Sequence, residues 1–147
     1  MHSGMNSENK KAFKRARTTA LVLLFFLGIS ALPPAVFMIT DPSGNSMLLP
    51  GQLLEQTPFK DFLIPGIILG VCNGILSLLL AILVIRKHRL QSWLVIFQGG
   101  ILTIWLTVEV LMGIFYAFLT LPYYLVAALL LGCGVLMKSQ QLASGSQ

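Results

Sequence analysis

Four long apolar runs, separated by shorter polar or mixed segments, organise this chain of 147 residues. They extend from about Thr18 to Thr40, Phe59 to Ile85, Trp93 to Tyr116 and Leu121 to Met137. A helix needs roughly 20 apolar residues to cross about 30 Å of hydrocarbon, and these runs have that scale. The connections after the second and third runs are short, which makes sequential helices antiparallel neighbours. The pattern therefore predicts an all-α fold, a transmembrane antiparallel four-helix bundle. A structured extracytoplasmic segment, residues 41–58, lies between helices 1 and 2. Residues 1–17 form a basic tail, 18–138 the four-span membrane domain, and 139–147 a polar tail that reads as disordered.

Composition agrees with the pattern. The chain is 56% hydrophobic and 10% charged, too little charge to give each element of a soluble domain a polar face. The net charge of +5 is placed at span boundaries. Lys10, Lys11, Lys14, Arg15 and Arg17 precede the first run; Arg86, Lys87 and Arg89 separate the second from the third. Such clusters set topology and attract anionic lipid head groups. Nucleic acid is excluded as a partner, because no soluble domain presents a basic face. With both termini cytoplasmic, every positive cluster falls on one side of an expected bacterial cytoplasmic membrane.

The first run begins like a signal peptide, but Pro33-Pro34 sit where a small-residue cleavage site belongs, so a retained helix is expected. The two prolines should kink or end that helix. Trp93 and Tyr116, Tyr123 and Tyr124 fall at expected interfaces. Cys72 and Cys133 lie singly in apolar runs and read as buried structural residues.

The outer segment is patterned rather than merely polar. "DPSG" carries a type I turn in order, with Asp41 first, Pro42 presetting φ and Gly44 closing. "MLLPGQLLEQ" is too short to span, yet its leucines suit an interfacial turn folded on the bundle. Thr57 reads as an N-cap, Pro58 as a first helical residue, and Asp61 as a charge complementing the helix dipole.

The string "DPSG…LP…LL…PF.DFLIPG", followed by an apolar span, a basic loop and "G…W…EV", resembles a family of small, uncharacterised bacterial four-helix integral membrane proteins. The resemblance covers about Phe37 to Gly113 and includes Pro50, Pro58-Phe59, Asp61-Phe62, Pro65-Gly66, Gly99-Gly100, Trp105 and Glu109. The fourth span departs from it, with "TLPYYL" where relatives carry a Gln-Pro-Leu-Tyr-like entry. It implies an architecture and no activity.

Polar residues inside the spans carry the functional question. Glu109 is the one acid well inside a run, expected about 10 Å below the outer interface. Gln98, Leu102, Trp105, Glu109 and Tyr116 share a helical face. In the second span, Gly66, Gly70, Asn73 and Ser77 form a small-residue groove, expected to pack on the third span and pair Asn73 with Glu109 or Gln98. Two readings of Glu109 follow. In one it is interhelical glue in an accessory, assembly or structural component that works with a membrane-protein partner. In the other it binds a proton, cation or polar ligand in a cavity under the outer segment, in a small-solute or proton-coupled transporter or channel component that is expected to be a homo-oligomer. His2 and His88 lie in a tail and a loop, so no paired-histidine metal site is expected, and neither a catalytic constellation nor a cofactor motif is visible.

Overall fold

The computed structural model describes residues 6–55, 57–113 and 116–145. The tail ends, with His2, and residues 114–115 of the expected third span lie outside them. Four long helices form, and no strand occurs among the described residues. Helix α1 is Ser7–Thr40, α2 is Leu63–Ile85, α3 is Gln91–Leu111 and α4 is Ala117–Gly145. Each is long and apolar enough to cross a membrane. This is the architecture of a helical membrane protein, in which each span satisfies its own backbone. The start of α1, the end of α4 and the 86–90 turn share one end of the bundle, the basic end. The described residues among 41–62, with Met112 and Gly113 after α3, occupy the other, the loop end.

Glycines decide which helices touch. A Cβ on Gly66 would lie 2.6 Å from Met38 Cβ, and one on Gly70 3.1 Å from Ala35 Cβ. Gly74 faces Leu32 and Gly28 faces Leu78 in the same way. The groove on α2 therefore receives α1, not α3 as its spacing alone suggested. On the other side α4 lies closest to α3, with Gly134 against Ile96 and Gly99 against Leu131. Small residues let two backbones approach, which strengthens dispersion contacts where lipid offers no hydrophobic drive. The α2–α3 contact is the smaller one despite their short link.

Several boundaries differ from the sequence reading. Helix α1 passes Pro33 and Pro34 without ending, because Ala35 and Met38 beyond them are clamped against Gly66 and Gly70. Helix α2 starts at Leu63 rather than Phe59. Thr57 does not cap it; its hydroxyl donates to the Leu54 carbonyl (2.9 Å) and accepts the Phe59 N–H (3.3 Å). Helix α4 runs on to Gly145, so the polar tail is helical through that residue. Its Gln141 side chain accepts a hydrogen bond from Ser92 on α3 (2.8 Å). At the same end Arg17 donates to the carbonyls of Val84 (2.7 Å) and Ile85 (3.1 Å), closing the C-terminus of α2. Lys138 lies 5.5 Å over the Trp93 ring.

Candidate functional site

The loop segment is built around its first turn. Gly44 N–H donates to the Asp41 carbonyl (3.0 Å), and Gly44 takes φ 78°, which glycine adopts without steric cost. The Asp41 carboxylate accepts the Ser43 hydroxyl, then the Ser46 hydroxyl (2.6 Å) and N–H (2.8 Å). These bonds hold its pKa at about 2, below the ordinary 3.8. Phe62 is fully buried against Gly44, where a Cβ would fall 2.7 Å from the ring. Its N–H donates to the Pro42 carbonyl (2.9 Å). "DPSG" and "DF" thus close on each other across the intervening segment, and Asp61 accepts the N–H of Leu63 at the start of α2 (3.0 Å). Two 3-10 turns, Asn45–Met47 and Gly51–Leu54, bring Met47, Leu49, Leu53 and Leu54 onto the bundle.

Beneath Met47 to Leu49 lies a cavity of about 590 Å³, within the ~300–1,000 Å³ range of small-molecule sites. Its floor is formed by Leu27, Leu102 and Asn73, none more than 2% exposed. Its rim carries Leu48, Tyr116 and Leu119, which are 89%, 52% and 56% exposed. The walls are mainly apolar, with Trp105, Glu109 and Asn73 among the polar groups. Three residues picked out for polarity inside apolar runs therefore share one space.

Glu109 bonds differently from expectation. Trp105 Nε1 donates to its Oε1 at 2.8 Å, one turn away on the same helix. Because α3 ends at Leu111, Glu109 sits in its last turn rather than deep in the span. A helix C-terminus carries partial negative charge, so a carboxylate there calls for a positive partner. Among the described residues, no Lys or Arg lines the cavity.

Asn73 is fully buried, and neither its Nδ2 nor its Oδ1 has a hydrogen-bond partner. The expected pairing with Glu109 or Gln98 does not form, because the groove containing Asn73 turns toward α1. Gln98 instead donates to the Cys72 carbonyl (3.0 Å), inside a π-helical stretch, Leu69–Ile75, of α2. Gln98 Oε1 and Ser77 Oγ are also unpaired. An orphan buried amide costs on the order of 1–3 kcal/mol, and π-helical turns are frequent at functional sites.

Tyr116 does not extend the α3 stripe. It lies past the end of that helix and joins Thr120 and Tyr123 in lining the cavity from the α4 side. No family model, curated protein or solved structure matches this chain. The site thus stands on its own chemistry. Ser30 and Thr120 also line it and were missed as polar contributors. The 4 and 3 spacing of Tyr116, Thr120 and Tyr123 was the available signal.

Proposed function

We propose that this small polytopic membrane protein binds a small solute in the cavity under the loop segment, as a component of a transport or channel system, with Glu109 as the anchoring charge. One observation carries the reading. A carboxyl kept as glue would reach a neighbouring helix, whereas Glu109 bonds Trp105 on its own helix and lines open space. The competing accessory or assembly reading gives this space no role. The distribution of Lys and Arg supports a cytoplasmic basic end, which sets the cavity near the outer face. The resemblance in the loop segment favours a bacterial cytoplasmic membrane.

Carbodiimide labelling of the purified folded protein, mapped by peptide mass spectrometry, tests the reading. Glu109 should label while the protein is folded, and added ligand should protect it. Labelling of Glu109 only after denaturation would mean a sealed structural carboxyl and would end the solute-binding reading.

A further inference from the structure

We propose that the ligand is an amphiphile with a cationic amine head and an apolar tail, admitted sideways from the bilayer between α1 and α4. This rests on the solute-binding reading and specifies its ligand class.

The buried cluster at the loop end draws on α1, the loop segment, α2, α3 and Met112, and takes no residue from α4. The first turns of α4 instead expose Phe118, Leu119 and Leu121. The cavity occupies the resulting gap, with Ser30 and Pro34 of α1 on one side and Leu119 and Tyr123 of α4 on the other. Exposed flanks of spanning helices face acyl chains, so a mouth between two such flanks opens to lipid rather than to water.

Inside, charge and depth are ordered. Glu109 lies at the loop end of α3, level with the interfacial region of a span. Leu27 and Leu102 line the deeper part. An ammonium group at Glu109 would answer both the carboxylate and the negative end of the helix, with Trp105 and Tyr116 lining the same space. The tail would then lie along the leucines. A hydrophilic cation would leave those walls uncovered, and an uncharged chain would leave the Glu109 carboxyl bonded to Trp105 without a new partner. The unbonded, fully buried Asn73 is a second sign that the space receives a partner.

The test uses the full chain in phosphatidylcholine nanodiscs. The Trp93→Phe variant leaves Trp105 as the sole tryptophan reporter. Dodecylamine, dodecanol and ethylamine are titrated in parallel. Dodecylamine should give a saturable fluorescence change whose midpoint weakens roughly tenfold in Glu109→Gln. Dodecanol should bind roughly tenfold more weakly than the amine, and ethylamine should not bind. Leu119→Phe, at the mouth, should slow dodecylamine entry; an unchanged rate would overturn the lateral portal. Ethylamine binding as well as dodecylamine would overturn the amphiphile while leaving solute binding intact. Dodecanol matching the amine, with Glu109→Gln without effect, would overturn the role of charge. Binding of no probe, with Glu109 still labelled by carbodiimide, would overturn the ligand class alone; without that labelling, both readings fall.

Discussion

The basic half and the loop half of the bundle are made by the same helices, and they differ in what α4 contributes. In the basic half, Leu24, Leu80, Val84, Val95, Leu130 and Met137 bring all four helices into one apolar cluster. In the loop half, Ala35, Met38, Phe62, Leu69 and Trp105 form a second cluster without α4. One half is filled and the other holds a cavity. A loop segment replaces part of the missing helix packing: Met47 and Leu49 pack on this cluster and line the cavity, and Leu54 is buried in the cluster. The lesson is that a bundle closes only where every helix supplies a core residue, and that a cavity needs just one helix to withhold them.

The largest test of this contrast compares two leucines of α4. Leu130 is fully buried in the filled half, so Leu130→Ala should cost ~2–5 kcal/mol. Leu119 at the cavity mouth is 56% exposed, and Leu119→Ala should change stability by less than ~0.5 kcal/mol. Unfolding in mixed micelles with increasing denaturing detergent reads both, and equal losses would break the comparison. Next come two glycines. A Cβ on Gly134 would sit 2.5 Å from Ile96 Cγ1 and 2.9 Å from its N, whereas one on Gly100 would meet nothing within 4 Å. Gly134→Ala should lose ~1–3 kcal/mol, while Gly100→Ala should gain ~0.5–1 kcal/mol from helix propensity. Thermal melting in detergent gives the sign of each.

A smaller effect sharpens the account of the cavity floor. Asn73→Leu removes an unpaired buried amide and should raise stability by about 1 kcal/mol. A fall in melting temperature would reveal a partner that the amide keeps in the ligand-free protein. The smallest effect is at Asp41. Its folded pKa of about 2 lies below the ordinary 3.8. Its contribution is therefore complete above roughly pH 4–5 and is lost as pH falls toward 2. Protease cleavage in the loop segment should rise over that interval. Asp41→Asn should flatten the response, and an unchanged response would assign it to another group.

Much of the site was legible before the fold. Glu109, Trp105 and Asn73 stood out because polar groups are costly in an apolar run, and they line the same cavity. Asp41, Pro42 and Gly44 were readable as a turn because that chemistry is local, and the Gly44 N–H bond to Asp41 bears it out. The pairing of Asn73 with Glu109 or Gln98 was not readable, nor was the passage of α1 through Pro33-Pro34. Both depend on Gly66 and Gly70 meeting Met38 and Ala35, which lie far away along the chain.

By itself, the sequence determined four spans, their alternation, the basic end and the turn that anchors the loop segment. Length, apolarity, charge and turn chemistry act within a few residues or a single helix. Only the tertiary structure decided which faces meet. Spanning helices are apolar on the lipid side as well as the packed side, so hydrophobic periodicity does not mark the buried face. The choice fell to the fit of small residues against distant backbones. That fit joined α1 to α2 and α3 to α4, and it left the second apolar cluster without a residue from α4, with Glu109 lining the cavity beside it.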